Sequence, residues 1–158
     1  MKKVVVMSDN HGYDEAIRKV KELEPDADYY IHCGDSCTSN PFVLDDMICV
    51  KGNNDYYLDL PRYAKIQIED LKVLITHGQY YGYFNREKQM RQDLKEQGCD
   101  VLFSGHTHVP SFLEKHHHYY LNPGSLTLPR GGSGPSYAVV YIDGKKLKAE
   151  FKALDLDD

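Results

Sequence analysis

Carboxylate, imidazole and amide side chains follow short apolar segments at five places along this chain. They are Asp9 and His11, Asp35, Asn53, His77, and His106 with His108. An Asp-x-His or His-x-His pair on an extended segment places both side chains on one face, because strand side chains alternate with period two. Carboxylate, amide and imidazole groups together form a mixed oxygen and nitrogen ligand set. These residue types therefore predict a site for borderline divalent metals such as Mn, Fe, Co, Ni or Zn.

Each fragment also has a simpler interpretation when it is taken alone. Asp9 is a suitable cap for the helix that follows it, and Asp35 after Gly34 is typical of a turn. A single histidine such as His77 is commonly a hydrogen-bonded polar residue rather than a ligand. The occurrence of all five fragments at the ends of apolar segments favours one shared metal site over five coincidences.

The segments that must position these residues alternate between strand and helix patterns. Short apolar strands are predicted at residues 3–8, 28–32, 47–50, 72–75 and 100–103, with helices at 14–23 and about 85–97. Further strands are predicted at 111–114, 118–121, 137–142 and 147–154. Ligand sites of open α/β sheets gather outside the carboxyl ends of the strands. We therefore expect the five fragments to meet at one edge.

Length and charge limit the class of protein. The 158 residues, of which 41% are hydrophobic and 27% charged, fit a single globular domain spanning residues 1–158. The formal charge of -5 gives no global attraction for nucleic acid or an anionic membrane. We expect a cytoplasmic protein with no stable nucleic-acid complex and no membrane association. Its four cysteines are expected to be free thiols in that reducing compartment.

The ordered motifs resemble those of the calcineurin-like metallophosphoesterases. They are Asp9-Asn10-His11, Gly34-Asp35, Gly52-Asn53-Asn54-Asp55, Thr76-His77-Gly78 and Gly105-His106-Thr107-His108. The short chain and Asn122-Pro123-Gly124-Ser125 are similar to the small YfcE-like phosphodiesterases of bacteria and archaea. This resemblance implies an α/β fold, a four-layer α/β/β/α sandwich of two mixed sheets with two divalent metals at its edge. Mn is the first expectation, with Ni, Co, Fe or Zn as alternatives.

The resemblance also implies a ligand assignment and a reaction. One metal would be held by Asp9, His11, Asp35 and His108, and the other by Asp35, Asn53, His77 and His106. Asp35 would then bridge the pair. A hydroxide between the two metals would attack the phosphorus of a small phosphoester in line, which makes the chain a phosphodiesterase.

Three further residues are candidate catalytic residues: Asn54, Asp55 and Arg130. Many relatives have a histidine at the position of Asn54 that assists the leaving group. An amide donates a hydrogen bond but is not a general acid, so we expect aryl esters to be better substrates than alkyl esters. Arg130 is expected to approach the phosphate oxygens. Tyr80 and Tyr81, which closely follow His77, are candidates for stacking on the substrate.

Two other functions remain open at this point. A phosphomonoesterase would use the same metal site with a smaller and more cationic pocket. A non-catalytic scaffold would keep the fold for protein recognition, as the retromer subunit of eukaryotes does. A homo-oligomer is compatible with the thirteen tyrosines, which suit subunit interfaces as well as cores.

Overall fold

The computed structural model describes residues 1–156, which form ten strands, two α-helices and one 3-10 turn. The strands are β1 (Lys2–Met7), β2 (Tyr29–His32), β3 (Met47–Cys49), β4 (Tyr63–Ile68), β5 (Leu71–Thr76), β6 (Val101–Phe103), β7 (Ser111–Lys115), β8 (His118–Asn122), β9 (Ser136–Asp143) and β10 (Lys146–Ala153). The helices are α1 (Asp14–Leu23) and α2 (Arg86–Gln97), and the 3-10 turn is Pro41–Leu44. Residues 157 and 158 of the predicted domain lie outside the described residues.

The strands form two mixed sheets of five. The first has the order β10-β9-β1-β2-β3, and the second has the order β4-β5-β6-β8-β7. Strands β1, β2 and β3 run parallel to one another, as do β5, β6 and β8. Each sheet therefore has three neighbouring strands whose carboxyl ends lie at the same edge. Strands β9, β4 and β7 pair antiparallel with β1, β5 and β8, and β10 pairs antiparallel with β9.

Three apolar cores separate four layers. Alternate residues of β1 serve two of these cores: Val4 and Val6 face the second sheet, whereas Val5 and Met7 pack with α1. The central core lies between the sheets and contains Phe103. The third core lies between the second sheet and α2 and includes Leu74, Leu94, Leu102 and Tyr120. The α/β/β/α sandwich expected from the sequence is confirmed.

The helix boundaries follow their local sequence. Helix α1 buries Ala16, Ile17 and Val20 along one face and has two acidic residues in its first turn, where they favour the helix dipole. Helix α2 ends at Gly98, whose φ of 67° is left-handed and accommodates the helix C-terminus. Among the residues of α2, only Leu94 is buried, so the apolar face that this helix packs against its sheet is narrow.

The structure adds elements that the sequence patterns did not predict. Strand β4 has the alternating sequence Tyr-Ala-Lys-Ile-Gln-Ile at the edge of the second sheet, and the 3-10 turn follows Asn40, whose side chain accepts a hydrogen bond from the backbone of Phe42. His116 and His117 have φ values of 53° and 65° and form the two-residue turn between β7 and β8. In the part of the chain that is described, neither helix is long and apolar enough to cross a bilayer.

Candidate metal centre

The carboxyl ends of the parallel strands bring the predicted ligands together. Asp9 follows β1, Asp35 follows β2 and Asn53 follows β3 in the first sheet, while His77 follows β5 and the His-x-His pair follows β6 in the second. The edges of the two sheets meet here, because His77 Nε2 lies 3.2 Å from Asp35 Oδ2 and His108 Nε2 lies 3.3 Å from Asp9 Oδ1. Each of these contacts joins one sheet to the other.

Two overlapping groups of ligand atoms lie close enough to hold cations. In the first group, Asp9, His11 and His108 have ligand atoms within 4.8 Å of one another. His11 Nε2 lies 3.2 Å from His108 Nε2 and 3.5 Å from Asp9 Oδ1. In the second group, Asp9, Asp35 and His77 satisfy the same limit. The resemblance assigned the bridging role to Asp35, whereas Asp9 is the residue shared by these two groups.

Asn53 and His106 lie on the solvent side of the two groups. His106 Nδ1 lies 3.2 Å from Asn53 Oδ1, and the His106 ring is 5.2 Å from that of His77 in an edge-on arrangement. Asn53 is exposed and His106 is half-buried, whereas His77 is buried. The structure therefore brings all seven predicted ligands into one region, with Asn53 and His106 at its open side.

The hydrogen bonds of the rings leave nitrogen lone pairs directed at the carboxylates. His77 Nδ1 contacts the carbonyl oxygen of Cys33 at 2.7 Å, and His108 Nδ1 contacts that of Leu128 at 2.7 Å. A carbonyl only accepts, so both Nδ1 atoms carry the proton and Nε2 of each neutral ring is a free ligand atom. Among the described residues, His77 Nε2 and Asp9 Oδ1 are buried without a hydrogen-bond partner. A cation between these atoms would satisfy both, so the residues fit a divalent metal.

Most of the ligands have a backbone conformation that L-amino acids rarely adopt. The φ values are 57° for Asp9, 46° for His11, 57° for Asp35, 74° for His106 and 62° for His108. A left-handed backbone costs roughly 1–2 kcal/mol for a residue with a side chain. Such conformations cluster at functional sites, where the surrounding structure fixes them. They turn each ligand away from its strand and toward the shared edge.

Two glycines allow the ligand loops to approach closely. A Cβ atom at Gly52 would overlap the carboxylate and the backbone nitrogen of Asp35. A Cβ atom at Gly105 would overlap the Ser8 hydroxyl and contact Asp9 Oδ2. Glycine at both positions is therefore required by the space that the two carboxylates occupy.

The two carboxylates remain ionised in spite of their burial. Burial opposes the charge of Asp9, but its contacts with His108 and His11 and the hydrogen bond from Ser8 lower its pKa. Burial likewise opposes the charge of Asp35, but His77 and the backbone N–H of Asn54, at 2.8 Å, lower its pKa. The pKa of His108 is raised by Asp9, whereas burial and the neighbouring His77 and Arg86 lower that of His106. The centre is therefore anionic at its base.

Asn54 and Asp55 lie beneath the ligands and hold Asp35 in place. The Asn54 side-chain amide donates to Asp35 Oδ2 at 3.0 Å. The buried Asp55 carboxylate accepts backbone N–H groups of Asp35, Cys37 and Gly52 at 2.8, 2.9 and 2.7 Å. Asp55 thus joins the Gly34-Asp35 loop to the Gly52 loop. This geometry gives Asp55 a positioning role, because its oxygens already accept from backbone amides.

The remaining candidate substrate contacts, Arg130, Tyr80 and Tyr81, differ in their distance from the ligands. The Arg130 backbone N–H donates to the carbonyl of His108 at 2.9 Å, and its side chain is exposed. Tyr80 is exposed and lines a pocket with Asn53. Tyr81 is buried in the core under α2, where its hydroxyl donates to Asp93. Tyr81 therefore packs inside the protein rather than beside the ligands.

A third acidic group near the site is unsuited to binding a metal. Asp35, Cys37 and Asp55 bring their ligand atoms together, but the Asp55 oxygens are occupied as described above. Burial, followed by Asp55 and Asp35, raises the pKa of the Cys37 thiol to about 12. The thiol is therefore protonated near neutral pH in the absence of a metal, and the occupied Asp55 oxygens are what make this group a poor site.

Several residues that support the ligands were not found by sequence reasoning. His32 Nε2 contacts Asn10 Oδ1 at 2.7 Å, and His32 Nδ1 accepts the backbone N–H of Gly34 at 3.0 Å. Ser125 Oγ donates to the carbonyl of Asp9 at 2.7 Å. Arg86 Nη1 and Nη2 bond the carbonyls of Gly78 and Gly105 at 3.0 and 3.2 Å, next to His77 and His106. Asn10 and Ser125 stood inside motifs of the resemblance without an assigned role, whereas His32 and Arg86 carried no signal.

Comparison with known proteins agrees with this geometry. Residues 1–145 match the sequence profile of the calcineurin-like phosphoesterase superfamily domain. The chain belongs to this superfamily. It is 32% identical to the probable metallophosphoesterase YsnB of Bacillus subtilis, over 94% of this chain and 89% of that protein.

Two further similarities concern the small members of the superfamily. The chain is 26% identical to phosphodiesterase YfcE of Escherichia coli, over 90% of this chain and 89% of that protein. Its structure superimposes on the crystal structure of a predicted phosphoesterase from Streptococcus pneumoniae with a TM-score of 0.88 and 29% identity, covering 96% and 89% of the two chains. The superfamily assignment and the fold therefore agree along nearly the whole chain.

Replacement of Asp55 by asparagine tests its positioning role. Asp55→Asn removes the charge that receives three backbone N–H groups, and hydrogen bonds to charged groups contribute about 1.5–3 kcal/mol each. We expect a loss of roughly 3 kcal/mol in the free energy of unfolding, measured with urea, and weaker metal binding. Asp59→Asn, at an exposed position of the same loop, should change neither quantity. Equal stability of the two variants would contradict the assigned role.

The buried His32 predicts a pH dependence of stability. Burial lowers the pKa of His32 from 6.5 to about 4, so the unfolded chain binds a proton first as the pH falls. The contribution of His32 to stability is therefore fully present above about pH 6.5 and is lost as the pH falls toward 4, by about 3 kcal/mol in all. Urea unfolding of metal-free protein should show this contribution as a difference in slope between the unaltered protein and His32→Gln. The slope should persist in His117→Gln, which changes an exposed turn histidine.

Proposed function

We propose that this chain is a divalent-metal-dependent phosphodiesterase. The observation that carries the proposal is the buried arrangement of ionised Asp9 and Asp35 opposite histidine nitrogens. Within the described residues, His77 Nε2 and Asp9 Oδ1 have no hydrogen-bond partner. Buried polar atoms in folded proteins normally have a hydrogen-bond partner, so two exceptions in one cluster need an explanation. A cation would complete these contacts, and the superfamily supplies the class of reaction.

The seven residues would hold two divalent ions; their mixed oxygen and nitrogen ligands suit Mn, Fe, Co, Ni or Zn, and the superfamily resemblance makes Mn the first candidate. Asp9, His11, Asp35 and His108 would hold one ion, and Asp35, Asn53, His77 and His106 would hold the other. Such ions supply Lewis acidity for the phosphate and lower the pKa of a coordinated water toward neutrality. The chain itself fixes the ligands, since Asp55, Asn54 and Ser125 restrain the loops that carry Asp35 and Asp9.

The diester preference rests on the relative named phosphodiesterase YfcE and on the sparse positive charge around the centre. A monoester carries more negative charge than a diester and needs more cationic groups around its oxygens. Arg130 is the candidate for a single contact with the phosphate oxygens, because its backbone bonds His108 directly. The proposal includes a cytoplasmic location and a small phosphoester as the partner molecule.

Metal reconstitution tests this proposal. Metal-free protein should gain hydrolysis of bis-aryl phosphates when Mn, Ni, Co or Zn is added singly, with mono-aryl phosphates turned over more slowly. Asp35→Asn and His77→Ala should each reduce kcat/KM on the order of 100-fold or more, because each removes a ligand. His117→Ala, at an exposed turn, is the matched control and should retain activity. Metal content is measured in parallel for every variant.

The alternative functions give different results in the same assay. A preference for mono-aryl phosphates would keep the metal chemistry and replace the diester assignment. An inactive protein that nevertheless binds two ions would contradict the enzymatic proposal and favour a protein-recognition scaffold.

Asn54 predicts a dependence on the leaving group. Its side-chain amide is bonded to Asp35 and is not a general acid, and general acid catalysis contributes roughly 100- to 10,000-fold. We expect bis-aryl phosphates, whose leaving groups need no proton, to exceed dialkyl phosphates in kcat by at least about 100-fold. Asn54→His should narrow this ratio at unchanged metal content. Equal kcat values for the two substrate classes in the unaltered protein would contradict the assignment.

A further inference from the structure

A cleft of about 640 Å³ opens beside the metal centre. It lies between the loop that precedes α2, the segment that follows the second ligand histidine, and strand β8. Its volume is within the range of about 300–1,000 Å³ that is usual for small-molecule sites. None of the seven predicted ligands lines it, so the cleft is a separate compartment next to the centre.

Its lining combines aromatic and aliphatic side chains with polar and charged ones. Tyr83 and Phe84 stand on one side and are largely exposed, while Tyr120 is buried and Val109 lies opposite on the loop after His108. An exposed pair of aromatic residues at the mouth of a concave site is costly in water, because their apolar surface is unburied. The two exposed rings fit a flat aromatic group that would cover them.

The charges at the cleft favour a ligand with a negative end. Glu87 lines the cleft, but its carboxylate is paired with Lys115 at 3.1 Å. Arg86 and Arg130 also line it. The Arg86 guanidinium bonds the carbonyls of Gly78 and Gly105 beside two ligand histidines, and the Arg130 backbone bonds His108. The positive end of the cleft therefore lies on the side of the metal centre, and the apolar part extends away from it.

Two contacts connect the cleft to the centre. The Tyr83 ring lies 6.4 Å from that of His106, between centroids. Thr107, which stands between the two ligand histidines in sequence, lines the cleft and accepts a hydrogen bond from Asn122 at 3.0 Å. A phosphate held at the centre would therefore place one of its substituents at the entrance of the cleft.

We propose that this cleft binds an aromatic ring attached to the phosphate, an aryl group or a nucleobase, with Tyr83 and Phe84 as specificity-determining residues. The inference rests on the proposed phosphodiesterase function and adds the class of substrate. Offset or edge-on stacking between aromatic rings strengthens binding beyond simple burial. The rings of Tyr83 and Phe84 supply that contact, and Arg130 faces the phosphate.

Direct binding of two phosphonates tests the proposal without a catalytic step. Mn-loaded protein is titrated calorimetrically with phenylphosphonate and with methylphosphonate, which share the anionic group and differ in the ring. We expect phenylphosphonate to bind more tightly. Tyr83→Ala and Phe84→Ala should each weaken phenylphosphonate binding by roughly 3- to 10-fold and leave methylphosphonate unchanged. Phe42→Ala, at an exposed position on the 3-10 turn, should affect neither ligand.

A steric variant gives a second and independent result. Ser111 is exposed and lines the cleft, so Ser111→Trp should fill it and weaken phenylphosphonate binding while leaving methylphosphonate binding intact. Equal affinities for the two phosphonates, or equal losses for both in Tyr83→Ala, would overturn the proposal. A change in sedimentation of Phe84→Ala with an unchanged phosphonate ratio would also overturn it and identify the cleft as a contact between copies of the chain.

Hydrolysis of bis-aryl phosphate by the same samples separates this inference from the function on which it rests. Selective binding of phenylphosphonate without hydrolysis of any phosphoester would support the aromatic cleft and contradict the phosphodiesterase function. Hydrolysis of the diester with equal binding of both phosphonates would support the phosphodiesterase function and contradict the cleft assignment.

Discussion

The burial of two carboxylates side by side is the constraint on which this structure depends. Asp9 is 0% exposed and Asp35 is 2% exposed, and both remain ionised although burial opposes the charge. The ion-pair contacts that described residues make with them come from histidines, which supply positive charge only when protonated. An unpaired buried charge costs several kcal/mol. The site is therefore stable either with protonated histidines or with a bound cation. In both cases the Nδ1–H donors of His77 and His108 hold each Nε2 toward the carboxylates.

The rest of the fold can be understood as the means of holding these charges. Parallel strands place their carboxyl ends at one edge of each sheet, and the apolar core between the sheets sets the two edges against each other. The loops are then tied by polar groups that contact backbone rather than metal. Asp55 joins the loops after β2 and β3, Ser125 holds the loop after β1, and Arg86 joins the loops after β5 and β6. Each of these contacts joins a ligand loop to a residue of another loop or of helix α2.

The sequence predicted the layers and the ligand positions because both depend on local patterns. Apolar strands that end in polar residues specify a sheet edge, and the two-residue spacing of Asp9 with His11 needs no tertiary information. Strand β4 was missed although its polar and apolar residues alternate as in a strand with one buried face. The roles of Asn54 and Tyr81 depended on which neighbour each side chain meets, Asp35 in one case and Asp93 in the other. Contacts between residues that are distant in sequence are set by packing, so composition and periodicity carry no signal for them.

The left-handed backbone at five of the ligands bears on whether the centre is kept for function. At roughly 1–2 kcal/mol for each residue, this strain is comparable with the 5–15 kcal/mol of net stability that is usual for a domain. Glycine or asparagine would relieve it, yet aspartate and histidine occupy these positions. A protein that used this fold only as a surface would gain stability by losing those side chains. Asp9 Oδ1 and His77 Nε2, both buried without a hydrogen-bond partner within the described chain, point the same way, because a cation between them would satisfy both atoms. These two observations favour the proposed cation site over a fold kept only for protein recognition.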